Sequence, residues 1–278
     1  MANAPTVLIT GATDGLGRAL AHRLARDGAA LLLHGRDPDR LARTAAEVGA
    51  SHPAGAAPAT FRADLADLAQ ARRLAAEVRE LTDRLDVLVS NAGIGAGEPD
   101  GRDRRTSADG HELRFAVNYL AGFALTLDLL PLLRASAPAR VVNVASLGQH
   151  ALDFDDLMLE RGYHGIRAYG QSKLAQIMSG IEFARRVPAE EVTFNSLHPS
   201  TYMPTKMVLT ELGHHVDTLE AGVEATYRLV TDPDLANTTG AFFDRTRPAR
   251  PDPQAQDPAA RAQLWRRSLD LVGHPGID

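Results

Sequence analysis

The chain has 278 residues, 44% of them hydrophobic and 23% charged, with a formal net charge of -5. These values exclude wholesale disorder and fibrous or collagen-like character. The charge is spread along the chain, which leaves no electrostatic footprint for nucleic acid or an anionic membrane. With no cysteine, disulfides, thiolate nucleophiles and cysteine-bound zinc are excluded. The strand-like segment near the start leaves no room for a signal peptide. The apolar run 123–133 is interrupted by Asp128 and is shorter than the ~20 residues of a membrane span. A cytoplasmic globular protein is expected.

In chain order, an apolar run predicts a strand over 6–10, followed by a helix over 16–26, a strand over 30–34 and a helix over 38–48. A loop at 51–59 leads to a strand over 60–62, a helix over 67–79 and a strand over 85–90. A long helix over 111–133 precedes a strand over 140–145. A helix over 169–186 leads to strands over 193–198 and 240–243. The segment 203–220 breaks this rhythm and suits a substrate flap. A C-terminal extension over 245–278 contains a Pro-, Asp- and Arg-rich excursion and a short helix near 259–271. Alternating strands and helices predict a Rossmann-like, doubly wound α/β fold, with a mainly parallel seven-stranded sheet and helices on both faces. The early strands are continuous apolar runs, as expected for a sheet covered on both sides. No linker divides the chain, so one domain over 1–278 is expected.

Thr10, Gly11, Thr13, Asp14, Gly15, Leu16 and Gly17 follow the first strand and open the first helix. Glycines there permit a tight turn and let the backbone approach a pyrophosphate favoured by the helix N-terminus. About 20 residues on, where a carboxylate would bond the ribose of NAD, stand Gly35 and then Arg36. Arg36 is placed to grip the 2′-phosphate of NADP(H), which makes that cofactor the preferred one and leaves NAD(H) possible. Asp14 and Asp37 nearby oppose an added phosphate.

Tyr169 and Lys173 lie at i and i+4, on one face of a helix. A tyrosine with an ordinary pKa near 10 is a poor acid–base catalyst at neutrality, and a nearby ammonium corrects this. Only Lys173 and Lys206 are lysines among 30 basic residues, so a chance match to this pair is rare. Ser146 follows the fifth strand and Asn91, Ala92 and Gly93 follow the fourth. Strand ends of an open α/β sheet project into the ligand crevice. Asn118 lies within the long helix. Weaker patterns are also present. His214-His215 has no partners for a metal. Ser146 with His150 and Asp153 lacks the G-x-S-x-G elbow of a hydrolase.

Together these motifs resemble the short-chain dehydrogenase/reductase superfamily, in its single-domain, retinol-dehydrogenase-like branch. The resemblance spans about residues 6–205 and the last strand. It rests on the TGxxxGxG loop, Asn91-Ala92-Gly93, Asn118, Ser146, Tyr169 and Lys173, and on VNVASL, AYGQSKLAQ and FNSLHP. It implies an oxidoreductase that moves hydride between NADP(H) and a carbonyl or alcohol, with the reduced cofactor pool favouring carbonyl reduction. It further implies Tyr169 as acid or base, Ser146 as the hydrogen-bond partner of the substrate oxygen, and Lys173 as both modulator of Tyr169 and ligand of the nicotinamide ribose. Asn118 would hold a water, Asp64 and Leu65 would contact the adenine, and Pro199 with Thr201 or Thr205 would contact the nicotinamide. No metal is implied. The Ser146–Tyr169 spacing of 23 is longer than the usual 13, as in the retinol branch, and Ser200 replaces a usual glycine. The substrate expected is a lipophilic or secondary-metabolite ketone or aldehyde. A homodimer or homotetramer is a possible assembly, with Leu125, Leu129 and Leu132 as an apolar stripe that faces either a partner or the protein's own sheet. Two other readings are a cofactor-binding sensor or scaffold and a sugar-nucleotide epimerase or dehydratase. The catalytic set disfavours the first; the glycine pattern and the absence of a larger C-terminal substrate region disfavour the second.

Overall fold

The computed structural model describes residues 4–97, 103–204, 209 and 213–277. Its strands are β1 (Thr6–Ile9), β2 (Ala30–Gly35), β3 (Ala59–Arg62), β4 (Val87–Ser90), β5 (Ala139–Val144), β6 (Val192–His198), β7 (Phe242–Asp244) and β8 (Arg247–Ala249). They form one eight-stranded sheet in the order β3-β2-β1-β4-β5-β6-β7-β8. All pairings are parallel except β7 with β8. The expected count was seven. The additional strand is three residues containing Pro248, antiparallel at the sheet edge, and such a segment reads as loop because proline donates no ladder bond.

The helices are α1 (Gly15–Arg26), α2 (Pro38–Ser51), α3 (Leu68–Leu81), α4 (Leu113–Ala135), α5 (Gly165–Arg186), α6 (Leu219–Thr231) and α7 (Pro258–Val272). Their starts carry side-chain caps that satisfy the first free N–H groups. Asp14 caps α1, Asp37 caps α2 ahead of Pro38, Asp67 caps α3 and Asp257 caps α7 ahead of Pro258. Helix α5 begins at Gly165, earlier than expected, so Tyr169 lies in its second turn. Helix α6 begins in the last two residues of the segment read as a flap and was not anticipated.

Alternation along the strands divides the core in two. Leu8, Leu32, Leu88, Val141 and Phe194 face α3, α4, α5 and α7. Val7, Ile9, Leu33, Val89, Val142 and Leu197 face α1, α2 and α6. Helix α4 is long and apolar enough to cross a membrane, but 78% of its apolar window is buried in the protein's own core. Leu125, Leu129 and Leu132 belong to that core, so the stripe is occupied within the chain. Helix α7 covers the same layer. Trp265 packs edge-on against Phe123 and Phe183, and Ser268 hydrogen-bonds Tyr119.

Candidate active site

The sheet order reverses between β1 and β4, and the carboxyl ends of these neighbours open the crevice where ligands of such sheets bind. The Thr10 hydroxyl donates to Val89 O and accepts from the backbone N–H groups of Asn91 and Ala92, each at 3.0 Å. The Asn91 amide donates back to Thr10 O at 2.8 Å and Gly11 O at 3.1 Å. These bonds tie the two strand ends together. Gly11 has a φ of +67°, and a Cβ on it would sit 2.8 Å from Ala92 Cα. A Cβ on Gly17 would collide with Gly11 O and the Asn91 amide. The cradle therefore admits only glycine at both places, which fits a backbone shaped for close approach of a pyrophosphate. Leu16 turns its side chain into the core, as does Leu65, so both offer only backbone to a ligand.

His34, not anticipated as a site residue, holds this turn from below. Gly11 N–H donates to its Nδ1 at 3.2 Å, which leaves Nε2–H to donate to Ala63 O at 3.1 Å. Burial pushes its pKa below the ordinary histidine value, consistent with a neutral ring serving as one acceptor and one donor. A Cβ on Gly35 would lie 2.5 Å from Thr13 Cγ2, so a side chain there requires Thr13 to shift. Arg36 is exposed, with Nη1 3.8 Å from Asp64. Arg40, a second cation missed in the sequence, reaches Asp14 at 3.4 Å. Asp37 accepts from Arg40 N as the α2 cap. Both carboxylates that seemed to oppose a phosphate are thus engaged by local donors.

The second half of the site forms over β4 and β5. Lys173 is 5% exposed, and its Nζ donates to Val144 O at 2.8 Å and lies 5.8 Å from the Tyr169 ring centroid. Desolvation lowers its pKa from 10.5 to about 8. Asn118 lies in a π-helical turn, Ala116–Leu120, inside α4, a distortion that recurs at functional sites. Its Oδ1 accepts from Ile94 N at 2.7 Å, and its Nδ2 donates to Ile94 O and Ser172 Oγ, each at 3.0 Å. A Cβ on Gly93 would sit 3.2 Å from Asn118 Oδ1 and 3.5 Å from Lys173 Nζ, so both groups border this glycine. Ser146 Oγ accepts from Gly148 N at 3.0 Å, and Gly148 also adjoins Tyr169. Ser146 after β5, Asn118 in α4, and Tyr169 with Lys173 in α5 are therefore assembled from three separate segments at one place.

At the end of β6, Pro199 and Ser200 are buried. Asp217 Oδ2 accepts from Ser200 Oγ and Thr201 N, each at 2.9 Å, and from Arg245 at 2.6 Å. Thr201 Oγ1 contacts His198 Nε2 at 3.1 Å, while Thr205 lies outside the described residues. No hydrogen bond links Ser146 to His150 or His150 to Asp153 among the described residues; Asp153 instead pairs with Arg167. No metal-ligating cluster occurs among them.

A family model described as short chain dehydrogenase matches residues 5–212. Human retinol dehydrogenase 13 is 34% identical, over 96% of this chain and 84% of its own length. The “Putative daunorubicin C-13 ketoreductase DnrU” of Streptomyces sp. (strain C5) is 38% identical, over 96% and 92%. Among solved structures, the Pseudomonas aeruginosa RhlG/NADP active-site complex superposes with a TM-score of 0.68 at 29% identity, covering 87% of this chain and 95% of that one. With its glycine cradle, its Ser146–Tyr169–Lys173 cluster and these relatives, the chain belongs to the short-chain dehydrogenase/reductase family as a retinol-dehydrogenase-like member.

Proposed function

We propose that the protein is an NADP(H)-dependent reductase of ketones or aldehydes on lipophilic or secondary-metabolite substrates, also able to run the reverse alcohol oxidation. The observation that carries this reading is the buried Lys173 ammonium beside Tyr169, with Ser146 at the same strand end. The nicotinamide cofactor, when bound, supplies or accepts the hydride. Thr10, Gly11, Thr13, Gly15 and Gly17 would hold its pyrophosphate side, Asn91, Ala92 and Gly93 its middle, and Pro199 and Thr201 its nicotinamide end.

Tyr169 gives its phenolic proton to the substrate oxygen during reduction, or takes one during oxidation. Ser146 donates a hydrogen bond to that oxygen and so stabilises negative charge as it develops. Lys173 favours the phenolate left behind, because a cation in a desolvated pocket acts strongly over a few ångströms. Asn118 fixes the backbone at Ile94 through two hydrogen bonds and steadies the wall beside the lysine.

The preference for NADP(H) rests on Gly35, Arg36 and Arg40. Gly35 places no repelling carboxylate at the end of β2, while the Arg36 and Arg40 guanidinium groups stand beside Asp64 after β3 and Asp14 at the start of α1. The NADP complex of the RhlG neighbour is consistent with this. Leu147, Ile166 and Tyr202 are exposed apolar side chains next or close in sequence to Ser146, Tyr169 and Thr201, and they favour a lipophilic substrate. A panel of aryl, long-chain and polycyclic ketones and aldehydes assayed by NADPH oxidation tests the proposal. Turnover concentrated in the apolar members is expected; no turnover with any carbonyl would overturn it.

A further inference from the structure

Between the sheet and helices α4 and α5, beside Gln176, lies a small polar cavity. It offers about 10 Å³ to the centre of a water molecule, the size of a single-water site. Its polar lining includes Ser90, Asn143, Gln176, Ser179 and Tyr119. Ser90 and Asn143 are register partners on β4 and β5, 5% and 7% exposed. The Ser90 hydroxyl and the Asn143 amide make no hydrogen bond to another described protein group, unlike the neighbouring Thr126, Ser179 and Tyr119 hydroxyls. Buried amides and hydroxyls are almost always satisfied, by ordered water where protein partners are lacking.

Gln176 connects this cavity to the lysine. It is 4% exposed. Its Nε2 donates to Ser90 O at 3.3 Å, and its Oε1 stands 3.5 Å from Lys173 Nζ. We propose that the cavity binds one buried water through Asn143 and Ser90, and that Gln176, set by Ser90 and this water, is a positioning residue for the Lys173 ammonium. This inference rests on the reductase reading only for its catalytic consequence. Gln176 acts through the lysine and touches neither substrate nor cofactor. Among the described residues, Tyr169 is the titratable group that faces the ammonium; Asn118, Gln176 and the Val144 carbonyl are neutral.

The two-lysine composition allows a direct test. Protein labelled with 13C at lysine Cε should give two side-chain signals, assigned by Lys206→Arg. Lys173 should titrate near pH 8. Gln176→Leu removes an acceptor from the cation and should lower that midpoint by about one unit, a tenfold change in proton affinity. Gln176→Glu should raise it. A crystal structure of the wild type should show one water within hydrogen-bond distance of Asn143 and Ser90. An unchanged lysine titration in both variants would overturn the positioning role, and a dry cavity would overturn the water site. The diffraction measurement holds even if a variant fails to fold. Neither measurement needs a substrate, so their failure is distinguishable from failure of the reductase reading, which turnover alone tests.

Discussion

Lys173 is costly to fold and useful once folded. Its pKa falls from 10.5 to about 8 because burial strips water from the ammonium, equivalent to about 3 kcal/mol against the charged form. Near pH 7 the folded and unfolded chains both carry the proton, so this cost is fully present. Between about 8 and 10.5 the unfolded chain holds more protons, and stability rises with pH. Lys173→Met should therefore stabilise the cofactor-free protein by up to about 3 kcal/mol at pH 7, abolish turnover, and flatten that rise; denaturant titrations at pH 7 and 10 measure all but the turnover. Arg36 is a second residue with a defined expectation. Wild-type kcat/KM should favour NADPH over NADH by roughly 10- to 100-fold, and Arg36→Ala should erase most of that ratio. Equal use of both cofactors by the wild type would make Arg36 an ordinary surface arginine. Tyr169, Lys173 and the glycines are legible in the sequence because their spacing alone states a geometry. His34, Arg40 and Gln176 are not, since their partners sit on other strands and turns.

At the scale of elements, the site depends on how segments are pinned at the carboxyl edge of the sheet. Glu112 caps the start of α4 through Phe115 N and accepts from Tyr163 OH, while Arg114 donates to Gly95 O at 2.9 Å and to Tyr163 OH at 2.5 Å. This buried cluster joins the loop after β4 to the insertion that lengthens the Ser146–Tyr169 spacing. Asp217 does the same after β6. Hydrogen bonds from Thr201 N and the Ser200 hydroxyl, together with Arg245, hold its carboxyl below the usual range. The clamp is therefore present above the ordinary carboxylate pKa and is lost as pH falls through the lowered one. Asp217→Ala should lower kcat/KM on the order of tenfold, mainly through KM, and Asp217→Asn should recover part of it; unchanged kinetics in both would remove Asp217 from the site. The Ser200 departure from glycine was visible in the sequence, but its partner Asp217, 17 residues on, was not. Helix α6 was missed because Thr218, its cap, lies inside a segment dominated by turn-like residues. The three-residue β8 was missed because Pro248 argues against a strand.

For the whole molecule, the fold class was legible because strand–helix alternation and right-handed crossovers leave few arrangements of a parallel sheet. The assignment of faces was less so. Leu125, Leu129 and Leu132 repeat at a spacing that suits either a partner or the chain's own core, and periodicity alone does not separate these. The structure puts them in the core layer that α3 helps to build; α7 closes the same layer elsewhere, where Trp265 is 6% exposed and stacks under the Arg186 guanidinium at 4.2 Å. Leu129→Ala should thus cost about 2–5 kcal/mol of stability without changing the mass measured by light scattering at micromolar concentration. A change of mass with little loss of stability would place Leu129 at an interface instead.

On the proposed function, Tyr169 transfers the proton that accompanies hydride transfer. The most direct measurement compares kcat for carbonyl reduction by NADPH in the wild type and Tyr169→Phe, with NADPH affinity measured alongside by fluorescence. A loss of kcat of roughly 10²-fold or more is expected, with cofactor affinity and melting behaviour close to wild type. Near-normal turnover by a folded Tyr169→Phe protein would contradict it.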